Sequence, residues 1–318
     1  MKHLVFGIDI GGTNTVFGLF DKKGICYAQH KIKTTDSINV EQFVITLKTE
    51  LNALLHKVDF PYYLHGIGIG APNANFYKGT VEYAPNLPWK GIVPLAEMVS
   101  KAMECKTVLT NDANAAAIGE LYFGNAGGMK NFVVITLGTG LGSGIVVDGK
   151  LLYGHTGFAG ELGHVIVQPN GRSCGCGRKG CLETYASATG IKRTAQEFMG
   201  CSRLDSSLRD IPNRQLQAKH IFEAVQKGDK LAREIFDFTG MQLGMALANA
   251  TAILSPEAVF LLGGLASAGD WIFKPTQHAM DDNMLNIFKN TVKILPSGLN
   301  DNMAAIIGAA ALAWDEIK

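Results

Sequence analysis

Apolar residues open the chain in a short dense run, Leu4-Val5-Phe6-Gly7-Ile8-Asp9-Ile10, whose β-branched and aromatic content predicts a strand. Gly11-Gly12-Thr13-Asn14 follows, and then a second such run, Thr15-Val16-Phe17-Gly18-Leu19-Phe20, which stops at Asp21-Lys22-Lys23-Gly24. Strand, Gly turn, strand is a hairpin. The P-loop and the dinucleotide fingerprint both need a helix after their glycines, so this pattern argues against both. The design returns over 132–147, with a strand to Leu137, a turn over 138–144 and a returning strand over 145–147, which suggests a duplicated unit. A third Gly turn, Leu261-Leu262-Gly263-Gly264, follows the strand Ala258-Val259-Phe260. Helical patterns cover roughly 40–56, 93–104, 114–122, 218–227, 229–252 and 303–315, while 64–71 and 107–110 read as buried strands. Strands alternating with helices mean α/β layers, and a cleft between two such halves is the natural ligand site.

Composition narrows the function classes. A chain of 318 residues is long enough for two domains with a sizeable core. Lys and Arg number 29 against 28 Asp and Glu, which disfavours a nucleic-acid surface or a polybasic membrane anchor. No window reaches the roughly 18 apolar residues of a membrane span, and the opening run is too short for a signal peptide. Six cysteines are too few for a disulfide scaffold, so a cytoplasmic protein is expected.

The motifs carry three kinds of chemistry. Glycine turns present backbone N–H groups at a concave surface, and two facing turns could grip one polyphosphate from both sides. Asp9, just before the first turn, could hold Mg²⁺, and Thr13 and Thr139 could donate hydroxyl hydrogen bonds. Cys174, Cys176 and Cys181 crowd into eight residues and can converge on one metal. His164 is the nearest fourth donor and His155 its competitor; a Cys3His set suits structural zinc, because four protein ligands leave no open position. Zinc at that loop would also fix Glu161 and Glu183, a pair suited to hydrogen bonding several hydroxyls. Finally, Thr110-Asn111-Asp112 follows a short strand and opens a helix. Asn111 or Asp112 could serve only as the N-cap; alternatively Asp112 faces the cleft and accepts the proton of an attacking hydroxyl.

Asp9-Ile-Gly-Gly-Thr13, Thr136-Leu-Gly-Thr-Gly140, Glu161-Leu-Gly-His164 and Cys174-Gly-Cys-Gly-Arg-Lys-Gly-Cys-Leu-Glu183 together resemble the ROK family of repressors, open reading frames and kinases. The resemblance runs over nearly the whole chain. It implies a two-lobed, actin-like and hexokinase-like ATPase fold of duplicated ribonuclease H-like domains, with ATP and Mg²⁺ in the cleft between the lobes. Asp9, Gly11, Gly12 and Thr13 match the first phosphate loop, Gly138, Thr139 and Gly140 the second, and Gly263 and Gly264 the adenosine side. Asp112 matches the catalytic base, and Asn86, Asn111, Glu161, His164 and Glu183 fall at sugar-binding positions. His164, Cys174, Cys176 and Cys181 match the zinc ligands. Pro72-Asn73 departs from the Pro-Gly of many members, but Asn tolerates the left-handed conformation that such a turn needs.

The division expected is a small lobe over 1–113, a large lobe over 114–303 with the zinc loop at 161–183, and a C-terminal helix over 304–318 that returns to the small lobe. Repressors of the family carry a helix-turn-helix domain ahead of the first phosphate loop, and only eight residues precede Asp9 here. The expectation is therefore an ATP-dependent sugar kinase that binds no nucleic acid and no membrane and forms a homodimer or, as some members do, a tetramer. The stretch 175–190 resembles the kinases that act on glucose; N-acetylmannosamine, N-acetylglucosamine, fructose and allose are the alternatives. A catalytically silent sugar sensor is the reading of another class.

Overall fold

The computed structural model describes residues 1–300 and 303–317. Asp301 and Asn302 of the expected large lobe and Lys318 of the C-terminal segment lie outside the described residues. The first hairpin is built of β1 (Lys2–Ile10) and β2 (Asn14–Asp21), and β3 (Cys26–Lys33) continues it. Then come α1 (Val40–Leu55) and β4 (Tyr62–Gly70). Three short strands, β5 (Ala74–Asn75), β6 (Thr80–Glu82) and β7 (Ile92–Val93), make a small sheet of their own. α2 (Leu95–Met103), β8 (Thr107–Thr110) and α3 (Asp112–Phe123) complete this half. The main sheet runs β3-β2-β1-β4-β8, and Phe43, Leu47 and Leu51 of α1 share one buried core with Phe6, Ile8 and Ile69 of the sheet.

The second half repeats the plan. β9 (Phe132–Leu137), β10 (Leu141–Val147) and β11 (Lys150–Leu151) are followed by α4 (Ala188–Cys201), α5 (Ala218–Gln226) and α6 (Lys230–Leu254). β12 (Ala258–Leu262), α7 (Asp270–Asn283), β13 (Lys293–Pro296) and α8 (Ala304–Glu316) end the chain. The sheet order is β11-β10-β9-β12-β13. In each sheet the first three strands pair antiparallel and the remaining pairs are parallel. The duplication suggested by the two hairpins thus extends to both whole sheets, and the molecule has the two-lobed hexokinase-like form.

One boundary differs from the sequence reading. The returning strand of the second hairpin begins at Leu141, so Gly142-Ser143-Gly144 is strand and the turn is only Gly138-Thr139-Gly140. α3 packs hard on this strand: a Cβ on Gly144 would lie 2.5 Å from the Ala113 carbonyl oxygen, and one on Gly142 3.0 Å from Ala113 Cβ. Those glycines serve close packing rather than a bend. The same device seats α8 on the first sheet. A Cβ on Gly7 would meet the Ile306 carbonyl oxygen at 1.9 Å, and one on Gly68 the Ala309 carbonyl oxygen at 1.8 Å.

Register brings the chemistry to one edge. Asp9 of β1 pairs with Gly70 of β4, and Gly70 with Thr110 of β8, so three parallel strands end side by side. In the other sheet Leu262 pairs with Thr136. Both sets of carboxyl ends face one cleft, the usual ligand position in open α/β sheets.

Candidate active site

The floor of the cleft comes from the first sheet and α3. The chain leaves β8 through Asn111, whose Oδ1 accepts the Asn114 N–H at 2.6 Å and caps the helix. Asp112 is therefore not the cap; it is the first helical residue, and its Oδ1 accepts the N–H of Ala113 at 2.9 Å. Asp9 and Asp112 flank Gly70, where a Cβ would lie 3.8 Å from Asp112 Cα and 3.9 Å from Asp9 Oδ1. The two carboxylates thus share one end of the first sheet. Asp112 is open to the cleft, yet protein surrounds it, and the resulting desolvation raises its pKa against the opposing pull of the Ala113 N–H. Burial, and then the charge of Asp112, pushes Asp9 up to about 7.

The opposite wall is the second hairpin and the loops above it. The cavity of about 500 Å³ is lined by Asp9, Asn86, Asn111 and Asp112 on one side and by Gly138, Thr139 and Gly140 on the other. Glu161, Glu183 and Gly263 also reach it. Gly11, Gly12, Thr13 and Gly264 do not line this cavity; Gly12 instead lets the first turn lie against Asn86, whose carbonyl oxygen would be 2.5 Å from a Cβ on it. Gly263 has φ +101°, a conformation that favours glycine, and backs onto the Leu137 carbonyl. Asn73 takes φ 51°, so the left-handed turn after Pro72 is kept by Asn.

His164 lines an adjoining cavity of about 690 Å³ that shares Asn86, Gly140 and Glu183 with the first. Glu161 precedes the 3-10 turn Leu162–His164, which lies on β10 because Gly163 would place a Cβ only 2.1 Å from the Leu141 carbonyl oxygen. Ser143, which no motif marks, holds this turn: its Oγ bonds the Gly160 carbonyl and accepts the Leu162 N–H at 3.1 Å. Desolvation raises the Glu161 carboxyl, with His164 opposing and Asp112 and Glu183 adding to the rise.

His164, Cys174, Cys176 and Cys181 bring one donor atom each within 4.8 Å of one another. The Cys176 and Cys181 sulfurs are 3.6 Å apart, and His164 Nδ1 is 3.7 Å from Cys174 Sγ. Tetrahedral zinc with Zn–S bonds of about 2.3 Å needs sulfurs roughly 3.8 Å apart, so the spacing of these donors suits that ion, and the Cys174 thiol would give up its proton on binding it. His164 is the imidazole of this group; His155 is not among its members. Glu183 joins the cluster to the cleft. Its Oε1 is 2.9 Å from Cys174 Sγ, and its Oε2 would be 2.7 Å from a Cβ on Gly140.

Known proteins share this architecture. The ROK family profile matches residues 5–316. Glucokinase from Thermotoga maritima is 36% identical, with 99% of each chain covered. The crystal structure of a ROK family glucokinase from Streptomyces griseus, in complex with glucose and AMPPNP, is 31% identical with a TM-score of 0.80, covering 98% of this chain and 99% of that one. A ROK family transcriptional regulator, a homologue of the E. coli MLC protein, superposes with a TM-score of 0.87 at 26% identity; 99% of this chain covers 78% of the regulator. A match that takes in both duplicated sheets and every residue of the cleft makes this chain a member of the ROK family.

Proposed function

We propose that the protein is an ATP-dependent glucokinase that converts ATP and D-glucose to ADP and D-glucose 6-phosphate. The observation that carries this reading is the position of Asp112. A carboxylate on the first turn of a helix faces a cavity whose other wall holds a Gly-Thr-Gly turn and two further carboxylates. Phosphoryl transfer asks the protein mainly for positioning and charge stabilisation, with a carboxylate to accept the hydroxyl proton. Asp112 Oδ takes the proton from the sugar 6-hydroxyl as its oxygen attacks the γ-phosphorus, and Asn111 orients that hydroxyl. Asn86, Glu161, His164 and Glu183 receive the remaining hydroxyls. Thr139 and Gly140 offer backbone N–H groups to the phosphates and Gly263 lies on the adenosine side, while the Gly11–Thr13 turn and Gly264, also expected at the nucleotide, stand outside the cavity of about 500 Å³. Asp9 would hold the Mg²⁺ that accompanies ATP, which would offset phosphate charge.

His164, Cys174, Cys176 and Cys181 would hold zinc in a closed site that supplies rigidity rather than chemistry. Its value lies in Glu183, which touches both the cluster and the second turn. The lobe boundary expected at 113/114 falls inside α3 (Asp112–Phe123), so the division is better placed after that helix, with α8 (Ala304–Glu316) as the returning helix; the expected setting is a cytoplasmic homodimer or tetramer that binds no nucleic acid. No helix among the described residues is long and apolar enough to cross a membrane.

The regulator of similar fold favours one second reading, a sugar sensor without turnover. Coupled ADP release with Mg²⁺-ATP separates the two, using glucose, mannose, fructose, allose, N-acetylglucosamine and N-acetylmannosamine. Turnover led by glucose is expected. Turnover led by another sugar keeps the mechanism and changes the substrate, and folded, zinc-loaded protein that phosphorylates none of them makes the sensor the better reading.

A further inference from the structure

Arg172 lies between the His164 turn and the first cysteine, and nothing in the sequence pattern marks it. Its side chain is only 6% exposed, while that of its carboxylate partner Glu197 is 55% exposed. The guanidinium nevertheless finds an acceptor for every nitrogen. Nε donates to Glu197 Oε1 at 2.9 Å, and Nη2 to Glu197 Oε2 at 2.5 Å and to Thr194 Oγ1 at 3.0 Å. Nη1 donates to the carbonyl oxygens of Thr184 at 2.7 Å and Gly190 at 3.2 Å. The guanidinium carbon stands 4.4 Å from the centre of the Tyr185 ring, whose hydroxyl accepts the Arg172 N–H at 3.0 Å.

Three of these partners, Thr184, Tyr185 and Gly190, lie close to Glu183. Thr184 is its neighbour in the 3-10 turn Leu182–Thr184, and the Glu183 carbonyl itself accepts Ser187 Oγ at 2.7 Å. Gly190, on the first turn of α4, lies so close that a Cβ there would be 2.9 Å from the Glu183 carbonyl oxygen. A surface ion pair with Glu197 would need none of the buried carbonyl contacts, and such pairs contribute little. A planar fork with fixed donors, by contrast, joins a carboxylate, a hydroxyl and two carbonyls at set angles, which an ammonium cannot do.

We infer that Arg172 is a positioning residue for the sugar site: its guanidinium fixes the Leu182–Thr184 turn against α4 and so sets the aim of the Glu183 carboxylate into the cleft. The inference rests on the sugar-binding role proposed for Glu183. Arg172 touches no substrate; it acts through the backbone on either side of Glu183.

The test compares Arg172→Lys and Arg172→Ala with wild type in coupled ADP release, varying glucose and ATP in turn, with zinc per chain and Tm measured on the same samples. The glucose KM is expected to rise about tenfold in Arg172→Lys, the effect of one misdirected charge-assisted hydrogen bond, and further in Arg172→Ala. The kcat and the ATP KM are expected to stay within about twofold, the pattern of lost substrate binding, and zinc is retained. Glu197→Gln removes the charge of the exposed partner but keeps both carbonyl contacts, so it lowers Tm and leaves the glucose KM at the wild-type value. Should Arg172→Ala fail to fold, Arg172→Lys, which keeps the charge and most of the volume, decides. A wild-type glucose KM in Arg172→Lys overturns the inference, whatever its Tm, and so does loss of affinity in step with loss of zinc. Wild-type protein inert toward every sugar of the panel overturns the kinase reading and this inference with it; active wild type with an unmoved KM in the variant overturns this inference alone.

Discussion

Beyond its chain neighbours, a methyl group added at Gly140 would meet only the Glu183 carboxylate among the described residues, with Oε2 at 2.7 Å. Gly140 is not in the left-handed region, so alanine costs the backbone little there. To reach the 3.4 Å of ordinary contact, the carboxylate must retreat by about 0.7 Å. It cannot do so freely, because its turn is fastened by Ser187 and Arg172. A carboxylate moved that far loses a good hydrogen bond to a sugar hydroxyl, worth about 1.5–3 kcal/mol for a charged acceptor. Gly140→Ala is therefore expected to raise the glucose KM by roughly 10- to 100-fold. Coupled ADP release, with glucose varied at saturating ATP and then ATP at saturating glucose, reads the effect directly. The kcat and the ATP KM should change far less. A fall in kcat with the glucose KM unmoved would refute the reasoning, since it would mean that Gly140 matters to the phosphates and not through Glu183.

Asp112→Asn keeps the shape of the site and removes the proton acceptor; kcat is expected to fall by about 10²–10⁴, while glucose binding, followed by calorimetry, persists. Asp9 sits at about 7 in the free protein against an ordinary 3.8, so between those values the folded chain holds a proton that the unfolded chain has released. Stability from this site therefore falls as pH rises through that window. Asp9→Asn should accordingly raise Tm at pH 8, make no difference near pH 4, and impair turnover at both; an unchanged Tm at pH 8 would show that Asp9 carries no such strain. Stripping zinc with a chelator, or Cys176→Ala, should raise the glucose KM while leaving nucleotide binding in place, because the cluster reaches the cleft through Glu183 and not through the Gly263 side. Retained glucose affinity in metal-free protein would disprove that tether.

The parts of this molecule visible in the sequence are those where local chemistry and tertiary role coincide. Both hairpins were legible because their strands are rich in β-formers and their turns in glycine, and the cysteine group because its donors fall within one short stretch. Asn111 and Asp112 were recognised as a pair, but which one caps α3 was decided only by the Asn111 Oδ1 contact to Asn114. Elements whose stability comes from neighbours were missed. β3 is an edge strand with several exposed polar residues, and α7 carries Pro275 inside a helical run. That proline removes an N–H from α7, yet the helix survives because Ile272, Thr276 and Met280 are buried beneath it and Gly240 of α6 admits the proline ring. Arg172 and Ser143 were silent for a similar reason. Their partners are backbone carbonyls and amides brought up by the fold, and no spacing along the chain announces those.

Glycine shows most clearly how one signal carries two meanings. Glycine turns are expected to approach a ligand, and Gly138, Gly140 and Gly263 do line the cleft. Gly7, Gly68 and Gly308 do something else: each stands where a Cβ would come within 2.2 Å of a carbonyl oxygen on an adjoining element. Through the first two, α8 rests on the first sheet; through the third, it rests on α3, at the Ala115 carbonyl. Contacts that close leave no room for sliding, so α8, α3 and the first sheet must move as one body. The first residues of α8, Ala304 and Ala305, line the same cavity as Asp9 and Asp112. Gly144 makes the same kind of contact from the other side, where a Cβ would lie 2.5 Å from the Ala113 carbonyl oxygen, so α3 also ties the floor with its two aspartates to the hairpin that carries Gly140. The glycines away from the ligand thereby preserve the spacing on which the glycines beside it depend.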